Sequence, residues 1–212
     1  MPNGVNATAY RRATGATQLP FVDLPTPVAG VVGQLSSRID IDLLFAVLDA
    51  GCSLLLVGPV VGDWESERFA ALLAHPNVRW VGAVPYETVA EYLRVIDVGI
   101  TPYADSPFNR ASFPLKTLEY LAAGKPVVST DLPAVRWLRT DLVTVANREN
   151  FGSAARAMAS QSSTPELVAR RLAFAEQNAW EARAVAFAGA IGLTKSHRES
   201  DRSKEAEAEK RA

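Results

Sequence analysis

The segment CSLLLVGP at 52–59 is a continuous apolar run closed by a Gly-Pro pair. A strand with one wet face alternates polar and apolar residues. A run without that alternation belongs to a strand covered on both faces, the situation of a central strand in a parallel sheet. Comparable strands are predicted at 28–35 (VAGVVGQL), 77–84 (NVRWVGAV), 97–103 (DVGITPY), 126–129 and 142–145. Helices are predicted between them. One spans 40–49, with Ile41, Leu44, Phe45 and Leu48 on its apolar side, and another 65–73. A third spans 86–96, with Val89, Leu93 and Ile96 inward; a short turn of helix lies near 134–138 and a longer helix near 149–159. Strands alternating with helices at this spacing predict an α/β fold with a doubly wound parallel sheet. Such sheets bind ligands beyond the carboxyl ends of their strands. That edge carries Gly33-Gln34, Gly58-Pro59, Gly82 to Tyr86 and the loop from Tyr103 to Phe113.

The stretch NRASFPLKTLEYLAAGKPVVST at 109–130 reads as loop, helix, tight turn and buried strand. Ser112 is placed to cap the helix and Pro114 fits its first turn, where a missing N–H costs nothing. Leu115, Leu118, Leu121 and Ala122 make one face apolar; Gly124 ends the helix and Val127-Val128 begins a strand. Lys116 and Glu119 are three residues apart and so are near neighbours on one face. Free N–H groups, the helix dipole and an ammonium together favour a phosphate there. A glutamate one turn further in can accept hydrogen bonds from two sugar hydroxyls. The alternative is an amphipathic helix with a solvated ion pair, a common and weak arrangement of about 0.3–0.5 kcal/mol.

Residues 1–26 read as a linker or arm without a packed element, rich in Pro, Gly, Ala and Thr. The sheet domain is placed at 27–162, one long alanine-rich helix at 163–194, and a charged tail, expected to be disordered, at 195–212. The net charge of −1 gives no reason to expect nucleic acid or a membrane surface as partner. Cys52 sits within an apolar run and is expected to be a buried thiol. One cysteine and two histidines give no metal-ligand cluster, so no metal site is expected. No apolar run approaches the roughly 18 residues of a membrane span, and no signal-peptide core is present, so the expected location is the cytoplasm.

Several segments together resemble the nucleotide-sugar-binding, C-terminal half of two-domain (GT-B) glycosyltransferases of family 4, also called group 1. In chain order they are PNGVN, GVVGQLSSRIDIDLL, SLLLVGPV, HPNVRWVGAVPYETVAEYLRVIDVGITPY, FPLKTLEYLAAGKPVVSTDLPAV and NAWEARA. The resemblance covers residues 2 to about 193. It implies one Rossmann-like half of a GT-B enzyme, with a long C-terminal helix that packs back on the other half. It implies a donor that is a nucleotide diphosphate sugar, no further cofactor and no divalent metal, retention at the anomeric carbon, and an acceptor such as a glycan or glycolipid. Lys116 is then a phosphate contact and Glu119 a ribose contact. Gly33 and Gly58 frame the base, with main-chain groups of Val81 to Val84 reading its edge; Ser112 belongs to the same donor site. The family's usual pair of glutamates is reduced to one, since Ala111 stands at the first position. The usual Gly-Arg…Lys set appears as Gly33-Gln34 and Ile39, leaving Arg38 as a substitute cation or a solvated loop arginine.

The same resemblance implies that the acceptor domain, and any catalytic base, lies in an N-terminal half or partner subunit outside these residues. The final helix and the linker are then expected to expose apolar surface that this partner covers. Any membrane association is expected through the acceptor only. Two functions follow: a glycosyltransferase, or a nucleotide-sugar-binding domain that acts without catalysis or as one subunit of a split enzyme. An epimerase of related fold would need His and carboxylate groups at the cleft, which the motifs do not supply. Fold alone does not decide among these.

Overall fold

In a computed structural model, the structure describes residues 2–14, 22–113, 115–161 and 163–193. The charged tail at 195–212 and Pro114 lie outside the described residues. The six strands are β1 (Val28–Val32), β2 (Ser53–Val57), β3 (Val78–Trp80), β4 (Val98–Thr101), β5 (Val127–Thr130) and β6 (Val143–Ala146). They form one parallel sheet in the order β3-β2-β1-β4-β5-β6. All five residues of β1 and all five of β2 are buried, as unbroken apolar runs require. Alternate side chains feed two cores. Val28, Val32, Leu55 and Val57 face one layer, and Ala29, Val31, Leu54 and Leu56 the other.

The second layer packs on α2 (Ile41–Asp49), α3 (Ser66–Leu73) and α8 (Phe151–Ser160). The first packs on α1 (Ala7–Arg11), α4 (Val89–Val95), α6 (Leu115–Ala122) and α9 (Pro165–Gln177). Short polar residues start several of these helices. Asp40 accepts from the Asp42 N–H and Thr164 from the Leu167 N–H, each satisfying a first-turn donor. Gly124, at φ 72°, ends α6 as its sequence predicts: its N–H bonds Leu121 and the following Lys125 N–H bonds Tyr120.

Three expectations are corrected. Residues 1–26 are not an unpacked arm over their described part: Val5, Ala7, Tyr10 and Ala13 are buried, and α1 lies on α6, α4 and α9. The long helix at 163–194 is two helices, α9 and α10 (Trp180–Ala190), with Ala179 extended between them. The break comes from the arm. Val5 donates to the Asn178 carbonyl and accepts from the Trp180 N–H, so these groups serve an inter-segment bridge and not a continuous helix. Gly4 permits this, since a Cβ there would lie 2.7 Å from the Trp180 backbone. The loop 103–113, finally, contains a helix, α5 (Pro107–Ala111), capped by Ser106 through the Asn109 N–H.

The remaining short helix, α7 (Pro133–Trp137), follows β5. α10 buries none of its residues, so the expectation of an apolar surface on the final helix holds there. Among the described residues, no helix is long and apolar enough to cross a membrane.

Candidate functional site

The sheet order places β1 next to both β2 and β4, so the chain's winding reverses between β1 and β4. Connections leave this point in opposite directions, which opens a crevice at the carboxyl ends. Pairing between the two strands is confined to Ala29 with Val98 and Gly30 with Gly99. Tyr120, from α6, fills the split below the crevice. Its hydroxyl accepts from the Val32 N–H at 2.9 Å and donates to the Gly30 carbonyl at 3.1 Å. Burial pushes this phenol well above its ordinary range. Gly99 makes room, because a Cβ there would lie 2.3 Å from the ring. Sequence reasoning missed Tyr120; the available signal was a lone hydroxylated ring on the apolar face of a helix.

Above this wedge lies a cavity of about 500 Å³, large enough for a small-molecule ligand. Its floor is built from glycine turns. Gly33 and Gly58 have φ 133° and 140°, and a Cβ on Gly58 would fall 1.9 Å from the Gly33 carbonyl oxygen. The Gly33 N–H bonds Val57 at 2.8 Å and the Gly58 N–H bonds Gly82 at 2.8 Å, while the Trp80 indole donates to the Gly58 carbonyl. Only glycine lets main chain reach the cavity surface in this way. Val84 and Ala83 line one side, and Thr101, Tyr103 and Phe113 the other. Thr101 is buried, and its hydroxyl has no hydrogen-bond partner among the described residues.

Two cations stand at the wall. Lys116 lines the cavity from the first turn of α6, and its Nζ lies 2.6 Å from Glu119 Oε2. The lysine side chain is 30% exposed and the glutamate's only 8%, so this is not the solvated surface pair of the alternative reading. Glu119 stands behind Lys116 and does not line the cavity. Arg38 is held from three sides. Its guanidinium lies 5.3 Å from the Tyr103 ring and 4.9 Å from the Phe108 ring, and its Nε donates to Asn109 Oδ1 at 3.1 Å. Asn109 is itself buried, and its Nδ2 donates to the Arg38 and Ala104 carbonyls at 2.8 Å each. Among the described residues no carboxylate pairs with Arg38. The reading of Arg38 as a free loop arginine therefore gives way to an anchored one.

Of the sequence-predicted residues, Gly33, Arg38, Gly58, Val84 and Lys116 meet at the cavity; Glu119 supports one of them from behind. Ser112 does not belong. It closes α5, its hydroxyl donates to the Phe108 carbonyl at 2.7 Å, and α6 starts three residues later. The Ser106-Pro107 pair is the true cap signal of this loop. Asp97 is remote from the cavity and accepts from the Val28 N–H at the opposite end of the sheet. Asp105 faces Arg110, which holds its carboxyl below the usual range. Among the described residues, no three His, Cys, Asp or Glu side chains come together as metal ligands.

Comparison with known families decides what this crevice belongs to. The family described as "Glycosyl transferases group 1" matches residues 26–161, well over half of the chain. The chain belongs to the group 1 glycosyltransferase family. Among curated proteins, "Putative teichuronic acid biosynthesis glycosyltransferase TuaH" of Bacillus subtilis (strain 168) is 41% identical over 109 residues, 50% of this chain and 27% of that protein. Among solved structures, sucrose-phosphate synthase from Thermosynechococcus elongatus shares the fold with a TM-score of 0.65 at 20% identity, over 90% of this chain and 51% of that one. Anabaena HepE, solved in complex with UDP and glucose, gives 0.60 at 18% identity, over 84% of this chain and 51% of its own. The chain thus spans about half the length of these GT-B structures, and its match covers about a quarter of the curated relative. The matched family region runs from before β1 through α8, and it contains every residue that lines the cavity.

Proposed function

We propose that this group 1 glycosyltransferase chain is the donor-binding half of the enzyme, and that the cavity holds a nucleotide diphosphate sugar. The observation that carries the reading is the pair of anchored cations, Lys116 and Arg38, on the wall of a glycine-floored crevice at the point where the sheet reverses. A diphosphate needs positive charge and close main-chain approach, and this crevice offers both. The apolar residues Val57, Pro59 and Val84 suit the flat face of a base.

In this reading the sugar–diphosphate bond breaks as the acceptor oxygen attacks the anomeric carbon, and the diphosphate leaves with the bonding electrons. Lys116 and Arg38 stabilise the charge that grows on it, and because both are fixed beforehand they need no reorganisation as the bond breaks. Glu119 keeps the lysine aimed. The acceptor, and any group that takes its proton, approach from the open mouth and are supplied by a second domain or subunit. The exposed rings of Phe108 and Trp137 support such a covering partner. The setting that fits is assembly of a sugar polymer or glycolipid in the cytoplasm. A name such as that of TuaH supports this only by likeness.

Calorimetric titration of the intact protein with UDP-, GDP- and ADP-sugars tests the reading. Micromolar binding to one of them, weakened at least about tenfold in Lys116→Ala, is expected from the loss of one charge-assisted contact of about 1.5–3 kcal/mol. A folded protein that binds none of the three, or a variant that binds as well as the parent, would sink it.

A further inference from the structure

Two loops meet at the crevice, one following β1 and one following β4. Ile39 bridges Tyr103 in antiparallel fashion, Asp40 donates to the Pro102 carbonyl at 2.8 Å, and Ala104 donates to the Arg38 carbonyl at 2.9 Å. These main-chain bonds fix where the Arg38 side chain starts but not where its guanidinium points. Asn109 acts on both. It is 1% exposed, and it reaches the same arginine at its two ends. Its Nδ2 donates to the Arg38 and Ala104 carbonyls, at 2.8 Å each, and its Oδ1 accepts from Arg38 Nε at 3.1 Å. A side-chain amide has two hydrogens to give and one oxygen to receive, and here all are used. Reversing the amide would set its NH2 against the Nε–H and its oxygen against two carbonyls, so the network admits one orientation. Arg38 spends Nε on this bond. Among the described residues its terminal nitrogens take no hydrogen-bond partner, in a side chain that lines the cavity beside the Tyr103 and Phe108 rings.

We propose that Asn109 is a positioning residue: by clamping the Arg38 carbonyl and Nε together, it presents the free edge of the guanidinium to the cavity as a fixed fork for a phosphate group. A guanidinium offers two parallel N–H groups to a phosphate only when its plane is right, and a long side chain held only at its root samples many planes. Tying Nε to a buried amide on α5 selects one of them. A lysine at this position would keep the charge and lose the fork, since an ammonium has no planar edge to present. That the fork receives a phosphate rests on the donor-site reading above; the fixing of the guanidinium by Asn109 does not.

Asn109→Ala, Arg38→Lys and the double variant, made in the intact protein, test this with two readouts. The first is hydrogen exchange at Arg38 Nε, followed by NMR on isotope-labelled protein and assigned by the resonance that Arg38→Lys removes. The second is affinity for UDP, GDP and ADP. In the parent the Arg38 Nε–H is expected to exchange at least about tenfold more slowly than that of an exposed arginine, and Asn109→Ala should erase this protection. Asn109→Ala should also weaken nucleoside diphosphate binding about three- to tenfold, the range for loss of one net hydrogen bond. In the Arg38→Lys background the same change should add less than about twofold, because no fork is left to aim. An unprotected Nε–H in the parent would overturn the proposal, and that measurement holds even if Asn109→Ala does not fold. Unchanged affinity in a folded Asn109→Ala would overturn it as well. So would equal weakening in both backgrounds, since Asn109 would then act through the loop as a whole and not through Arg38. If the parent binds none of the nucleotides while Asn109→Ala still releases the Nε–H, the fixing of Arg38 stands and the donor-site reading falls.

Discussion

Tyr120 joins the fold and the site through one oxygen. Its hydroxyl serves the Val32 N–H, which lies beyond the last residue pair between β1 and β4, and also the Gly30 carbonyl. Tyr120→Phe leaves the Val32 N–H buried and unpaired and removes one bond from the Gly30 carbonyl, at an expected cost of about 1–3 kcal/mol in urea unfolding. A pH dependence follows with a definite sign. Tyr120 and Tyr10 both have phenol pKa values raised by burial in the folded state. Their contribution is fully present below the unfolded phenol value of about 10 and is lost as pH rises beyond it, because the unfolded chain ionises first. The parent's unfolding free energy should therefore fall above about pH 10, and Tyr120→Phe should fall less steeply. Equal slopes would mean that the Tyr120 phenol is not held protonated in the native protein. At this scale the sequence revealed the glycines and Lys116, because turn and helix-start patterns are local. It hid Tyr120, Thr101 and Asn109, whose importance depends on strands and loops that are distant in the chain.

Elements were legible where their signal was an apolar period. All six strands, and the helices between them apart from α5, lie within a few residues of their predicted places. Their spatial order was not, since nothing local says that β1 separates β2 from β4. The failure at 163–194 has the same origin: 178–180 reads as helix on its own and is broken by Val5, far away in sequence. That break makes the arm a stitched element with a weak point. Gly4→Ala would push a methyl to within 2.7 Å of the Trp180 backbone. It should release the bridge, speed amide exchange at Val5 and Trp180 by at least about tenfold, and leave the β1 and β2 amides protected as before, since only a local opening is affected. Exchange that rises uniformly across the sheet would instead make the arm part of the global fold. Ser112 was misread for a related reason. Two serines stand near prolines in this loop, and only the neighbouring chain shows that Ser106 caps a helix and Ser112 ends it.

The whole molecule has two kinds of surface. Around the sheet, helices bury their apolar faces; on α10 they do not. Val185 is 67% exposed and Phe187 50% on α10, and Ile191, just past its end, is 53% exposed; no residue of the helix is buried. Apolar residues that stabilise a fold lose stability when replaced by polar ones, whereas residues that await a covering surface do not. The triple variant Val185→Ser, Phe187→Ser, Ile191→Ser should therefore change the unfolding free energy by no more than about 1 kcal/mol, a little of it from helix propensity. It should also bind less of a hydrophobic dye than the parent. The cavity shares no residue with this helix, so the nucleotide-sugar binding proposed for it should be unaffected. A loss of several kcal/mol would show instead that α10 packs within the domain in solution. Retained stability would mark α10 as a face free to receive a covering surface, not part of the domain's own core.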